Sequence, residues 1–124
     1  MNIHRAREVG DDWAEIKAEL NRAFQMARAA AQAEDNFVFV VHHDDLLGRR
    51  GAGNAMVATG LLSAARTAAI EGWRKGWTAN VVAFDDEADP GQVDAWAERL
   101  VEDSLGVTGE VIRLGASHLG KALP

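Results

Sequence analysis

Three segments of helical character alternate with three short apolar runs along the chain. In residues 11–33 the apolar side chains recur every three or four positions, at Trp13, Ile16, Leu20, Phe24, Ala27 and Ala31. Asp11 and Asp12 precede the repeat, where helices favour acidic capping residues. The pattern therefore predicts an amphipathic helix over residues 11–33.

The apolar runs are FVFVV (37–41), the centre of TANVVAFDD (78–86) and the centre of GEVIRLG (109–115). Short runs of β-branched and aromatic residues are typical of strands buried on both faces. A loop containing Gly48, Gly51 and Gly53 leads to a second helix over 54–74, and Pro90 is placed to open a third.

The predicted order α-β-α-β-α-β favours parallel pairing with right-handed crossovers. We therefore expect an α/β fold: a truncated, Rossmann-like three-layer sandwich with a short parallel sheet flanked by helices, forming one domain over 1–124. The strand at 36–41 has no predicted earlier neighbour, so one of its edges is expected to be covered by another chain.

Composition narrows the functional classes. The 124 residues carry a formal net charge of -6, and the sequence pI is about 5.1, which disfavours non-specific nucleic-acid binding. The absence of cysteine excludes disulfides and thiolate metal sites. The polar start MNIHRAREVGDDW has no apolar leader, and no segment is apolar enough to span a membrane, so we expect a cytoplasmic protein with no membrane partner.

Four potential metal ligands follow the first apolar run, at His42, His43, Asp44 and Asp45. Adjacent side chains of an extended strand point to opposite faces, so at most two of the four are expected to converge, for example His42 with Asp44. The segment is therefore interpreted as a polar strand end, and no metal site is predicted.

A dinucleotide site is the second interpretation, because strand, GRRGAG, helix and strand are followed by Asp85 and Asp86. The glycine order is G-x-x-G-x-G, and six residues separate the strand from Gly48. The phosphate-binding turn should instead follow its strand almost at once, so this interpretation fits poorly.

From DDWAEIKAELNRAFQMARAA to TGEVIRLGAS, the chain resembles the C-terminal half of a short-chain dehydrogenase/reductase. The segments FVFVVHH, NAMVATG, WTANVVAFDD and VTGEVIRLGAS follow the family's order of motifs, and Asn54, Asn80 and Thr108–Gly109 agree best. The resemblance implies NAD(P)-dependent hydride transfer for the family, with a cofactor-binding N-terminal half that this chain is expected to lack.

The family's catalytic residues are replaced in this chain. By the resemblance, His42 stands at the serine position, Ala55 at the tyrosine position and Thr59 at the lysine position. Since the chain contains no tyrosine, no shift of the alignment restores the family's acid/base. We therefore expect no catalytic residue and no bound cofactor in this chain alone, with NAD(P) held by a partner subunit.

The resemblance also implies that the two long helices and the last helix and strand are assembly surfaces. The predicted interface residues are Trp13, Phe24, Ala58, Leu62, Ala65, Trp73 and Trp96. The leading hypothesis is a non-catalytic subunit that supports a full-length dehydrogenase/reductase in a hetero-oligomer, with the tail at 116–124 reaching toward the partner's substrate pocket. The alternatives are a stand-alone enzyme using His42 with Asp44 or Asp45, and a homo-oligomeric binding module.

Overall fold

The computed structural model describes residues 1–116, and the predicted role of the tail falls almost wholly outside them. The described residues form a four-stranded, entirely parallel sheet in the order β1-β2-β3-β4. The strands are β1 (Ile3–Arg5), β2 (Phe37–His42), β3 (Ala79–Phe84) and β4 (Val111–Leu114). The helices are α1 (Trp13–Gln32), α2 (His43–Leu46), α3 (Ala52–Trp73) and α4 (Pro90–Glu102). The predicted α/β fold, a parallel sheet flanked by helices, is confirmed.

The sheet separates two apolar cores. Phe37, Phe39 and Val41 of β2 pack on the side of α1 and α3, whereas Val38 and Val40 pack on the side of α4. Both faces of β2 are therefore buried, as the continuous apolar run predicted. Among the described residues, no helix combines the length and apolar character needed to cross a membrane.

The interpretation that the first predicted strand has no earlier neighbour in this chain was wrong. Residues Ile3–Arg5 form β1, which pairs with β2 in the register Ile3↔Val38 to Arg5↔Val40. With only three residues, β1 is too short to show a period-2 pattern in the sequence. It covers one edge of β2 from within the same chain.

A buried carboxylate joins β1 to α1. Glu19 is fully buried, and its Oε2 lies 2.6 Å from His4 Nε2 and accepts the Arg7 amide at 3.1 Å. Its Oε1 accepts two hydrogen bonds from the Arg22 guanidinium, at 2.7 and 3.1 Å. Burial raises the pKa of Glu19, but the hydrogen bonds from Arg22, the Arg7 amide and His4 together lower it below its ordinary value of 4.5.

The residues that agree best with the resemblance hold the backbone together. Asn54 accepts from the Val9 amide at 2.9 Å and donates to the Arg50 carbonyl at 3.0 Å. Asn80 donates to the carbonyl that precedes the Thr108 turn, that of Val107, at 2.9 Å. These side chains satisfy buried backbone groups that would otherwise lack partners.

One glycine was assigned to the wrong element. Gly53 was predicted in the loop, but it lies in the first turn of α3, where an added Cβ would overlap the Gly10 carbonyl oxygen. A side chain at this position would push the start of α3 away from the segment that follows β1.

Candidate functional site

The carboxyl ends of β2 and β3 bring His42 and Asp86 together. His42 is the last residue of β2, and Asp86 follows β3 by two residues. His42 Nε2 lies 2.8 Å from Asp86 Oδ1. The histidine is buried, whereas the Asp86 side chain is 90 % exposed, so the pair lies at the boundary between core and solvent.

The second ring nitrogen of His42 is also engaged. His42 is the N-cap of α2, and its Nδ1 accepts a hydrogen bond from the Asp44 amide at 3.2 Å. An accepting Nδ1 requires the proton of the neutral ring to lie on Nε2, which then donates to Asp86. The ring packs edge-on against Phe84, with centroids 5.2 Å apart.

The two aspartates proposed to orient His42 have other partners. Asp45 forms a bidentate ion pair with Arg50, with both nitrogen–oxygen distances at 2.9 Å, and Arg50 also contacts Glu8 at 2.8 Å. Asp44 contributes only its backbone amide to His42. The carboxylate that contacts the His42 ring is therefore Asp86, which corrects the Asp44 or Asp45 assignment.

Three potential metal ligands converge at this edge, one more than expected. One ligand atom each from His42, His43 and Asp44 lies within 4.8 Å of the other two. The expectation of two assumed that the strand continued, but β2 ends at His42 and α2 begins at His43. Successive side chains then turn by roughly 100° rather than 180°, which places neighbours on one side.

The other two replaced family positions lie on α3. Thr59 is exposed, and its hydroxyl donates to the Ala55 carbonyl at 2.6 Å, a bond within its own helix. At the end of β3, the Asp85 carboxylate accepts the Glu87 amide at 2.9 Å and is packed closely against Gly115. Neither Ala55 nor Thr59 supplies the phenol or the ammonium group of the family, so these two positions do not fit NAD(P) as the family holds it.

The predicted interface residues divide into two groups by burial. Trp13, Phe24, Trp73 and Trp96 are exposed, by 58, 58, 72 and 43 % respectively. Ala58, Leu62 and Ala65 are at most 6 % exposed and belong to the chain's own core beneath α1 and α3. Those three are therefore corrected from interface to core residues, because their side chains face inward.

Of these four exposed side chains, only Phe24 lines the groove between α1 and α3, which has a volume of about 1000 Å³. Small residues line much of it, including Ala27 and Ala31 from α1 and Gly60, Ala64 and Ala68 from α3. Ile70 is 79 % exposed on α3, and the prediction missed it. Ile70 lines a separate, smaller pocket with Trp73. We call the exposed surface of α1 and α3, which includes the groove, Phe24 and Ile70, the outer face.

No family model matches the chain, and no curated protein matches it in sequence. Solved structures do match it. A short-chain dehydrogenase from Mycobacterium smegmatis superposes with a TM-score of 0.70 at 24% identity, covering 94% of this chain and 58% of that protein. The acetoin dehydrogenase of Enterobacter cloacae has a TM-score of 0.67 at 14% identity, with coverages of 90% and 61%.

A 4-hydroxyisoleucine dehydrogenase complexed with NADH and succinate also matches, with a TM-score of 0.63 at 12% identity and coverages of 93% and 68%. The chain spans about 60% of the length of the first two of these structures. The topology of the sheet, the placement of the helices and these superpositions agree. The chain therefore has the fold of the short-chain dehydrogenases/reductases, over the part of that fold that it spans.

Proposed function

We propose that this chain is a non-catalytic subunit that assembles with a full-length NAD(P)-dependent dehydrogenase/reductase of the same fold. The observation that carries the proposal is the outer face, where Phe24 is exposed on the lining of a groove of small residues and Ile70 is exposed elsewhere on α3. Exposed apolar patches of this kind mark interaction surfaces, because they gain free energy when a partner removes them from water.

The shape of the outer face favours a helical partner. Glycine and alanine at Gly60, Ala64 and Ala68 allow another helix to approach the backbone of α3 closely, while Phe24 projects beside them. Charged residues, among them Arg28 and Glu71, lie on the lining of the same groove. Apolar centres with polar surroundings are the usual anatomy of specific protein interfaces.

The chemistry at the carboxyl edge supports a non-catalytic role. His42 is held by Asp86 and the Asp44 amide, Thr59 is bonded within α3, and no tyrosine exists in the chain. NAD(P) would be bound by the partner subunit, and this chain would stabilise that partner through the outer face. A complex of this kind would lie in the cytoplasm with the enzyme that it supports.

The test is co-expression with a full-length dehydrogenase encoded beside this chain, followed by size exclusion with light scattering and an NAD(P)H turnover assay. We expect the two chains to co-elute at a defined stoichiometry and the complex to exceed the partner alone in activity or thermal stability. Separate elution together with unchanged partner activity would refute the proposal.

Self-association is the second candidate, and the arrangement of the outer face favours it. Phe24 and the small-residue groove lie on the same surface, so two copies related by a two-fold axis could each insert Phe24 beside the groove of the other. Light scattering of the chain expressed alone separates the two candidates. A stable dimer that ignores the dehydrogenase would favour self-association.

A further inference from the structure

His43 is a buried histidine without a hydrogen-bond partner in the part of the chain that the structure describes. His43 is 4 % exposed, and neither of its ring nitrogens makes a hydrogen bond. His43 Nε2 lies 3.1 Å from Asp44 Oδ1, yet this approach does not satisfy hydrogen-bond geometry. A buried polar group without a partner lowers the stability of a folded protein, so we looked for a ligand that the His43 ring could bind.

We propose that His42, His43 and Asp44 bind a divalent first-row transition metal ion, with zinc as the probe of choice. Two imidazoles and one carboxylate are a common ligand set for such ions, and three protein ligands leave further positions for water or a substrate. A tetrahedral site with bonds of about 2.1 Å needs ligand atoms about 3.4 Å apart. The three atoms already lie within 4.8 Å of one another, so side-chain rotation can close the site.

Asp86 is placed as an outer partner for this site. Histidines that bind a metal through one ring nitrogen usually donate the other N–H to a carboxylate, which fixes the tautomer. His42 already has this arrangement, since Nε2 lies 2.8 Å from Asp86 Oδ1. A metal ion at Nδ1 would replace the Asp44 amide, which at 3.2 Å is the longer of the two His42 contacts.

Asp44 gives the site access to solvent. Its side chain is 25 % exposed, and the only cation paired with it among the described residues is Arg49, through a long contact of 3.4 Å. Asp45 is unsuited to the role because Arg50 occupies both of its oxygens. The site goes beyond the proposed function, and metal binding by this chain does not require a partner subunit.

The test uses the full chain after treatment with a chelator. Zn²⁺ is titrated in competition with a chromophoric chelator, and Co²⁺ is added separately to record its visible absorption. We expect one Zn²⁺ per chain, reversal by EDTA and the intense visible bands of four-coordinate Co²⁺. Asp44→Asn, at a partly exposed position, should weaken Zn²⁺ binding at least about 10-fold. His43→Gln should weaken it further.

Two control variants separate this site from casual surface binding. Asp94→Asn removes an exposed carboxylate of α4, and His118→Gln removes another histidine; both should leave the affinity for Zn²⁺ unchanged. The proposal is overturned if the chain binds no Zn²⁺, if Asp44→Asn binds as tightly as the unaltered chain, or if His118→Gln abolishes binding. Circular dichroism identifies any variant that fails to fold, and Asp44→Asn decides the question if His43→Gln does so.

Discussion

The carboxyl edge of the sheet and the outer face differ in which groups they bury. At the edge, the polar side chains of His42 and Asp45 are buried, and they contact Asp86 and Arg50 respectively. On the outer face, the large apolar side chains Phe24 and Ile70 are left in water. An edge of this kind has little need of a partner for stability, whereas the outer face gains from one.

The residues that agree with the dehydrogenase pattern and those that depart from it also differ in what their side chains contact. Asn54 and Asn80 agree with the dehydrogenase pattern, and both satisfy buried backbone groups. Ala55 and Thr59 depart from it, and neither side chain holds two elements together. Replacement of Asn54 or Asn80 would leave buried backbone groups without hydrogen bonds, whereas replacement of Ala55 or Thr59 would not.

The largest expected effect is on association. The double substitution Phe24→Arg and Ile70→Arg places two charges on the outer face, and burying an unpaired charge in an interface is strongly unfavourable. We expect loss of co-elution, with binding to the partner weakened at least about 100-fold. Thermal unfolding of the isolated chain should change little, since both side chains are already exposed.

Gln92→Arg is the control, because it also adds an arginine, at an exposed position of α4 on the opposite side of the sheet. Co-elution should survive this change. If the control abolished association and the outer-face variant did not, the contact surface would have to be reassigned to α4.

The next largest effect is expected on folding stability, from the buried side of α1. Glu19→Gln removes the fully buried negative charge that pairs with His4 and Arg22. We expect the free energy of unfolding to fall by about 2–3 kcal/mol, measured by urea denaturation. Lys17→Gln, at an exposed position of the same helix, should cost much less.

Glu19 also predicts a dependence of stability on pH. Because its pKa is lowered in the folded chain, its ionised form contributes stability that is present above the ordinary value of 4.5 and is lost as pH falls through the folded pKa. The loss below pH 4.5 should be smaller in Glu19→Gln than in the unaltered chain. An identical acid profile for both chains would show that folding does not lower the pKa of Glu19.

At the carboxyl edge, Asp86→Asn should have a small effect on the metal-free chain. The Asp86 side chain is 90 % exposed, so its pair with His42 contributes less than about 1 kcal/mol to stability. Chemical denaturation in the presence of EDTA measures this contribution. A larger loss would mean that the edge depends on the His42–Asp86 pair for its structure.

The smallest expected effect follows from restoring the family's residues. We expect no NAD(P)H oxidation from a chain that carries His42→Ser, Ala55→Tyr and Thr59→Lys together. The three replacements leave the segment after β3 unchanged, with the buried Asp85 carboxylate packed on Gly115. The assay is performed with and without the partner dehydrogenase. Turnover by the altered chain alone would show that the three replacements are all that separates it from activity.

The main elements of the fold could be predicted from the sequence because their signals are local. The apolar run of β2 and the periodicity of α1 each extend over enough residues to be recognised. β1 could not be recognised, since three residues carry no period and its pairing depends on contacts more than thirty positions away. One signal was available: Glu19 lies on the apolar stripe of α1 with Ile16 and Ala23, and a charge there requires a buried partner.

The candidate site was harder to predict because it forms where the chain changes from a strand to a helix, and the side-chain period changes with it. His42 belongs to a strand and His43 to a helix, so neither rule alone describes how the two side chains are related. The pairing of His42 with Asp86 joins the ends of two strands that lie 44 residues apart in the sequence. The change of element and the long-range contact are both properties of the folded backbone.

The shortness of β1 has a practical consequence for handling the protein. The strand β1, which Glu19 ties to α1 through His4 and Arg7, covers one edge of β2 with only three residues. Removal of the first eight residues would uncover an edge of the strand of sequence FVFVVH. Exposed edges of this composition recruit other copies, so the shortened chain should accumulate in inclusion bodies.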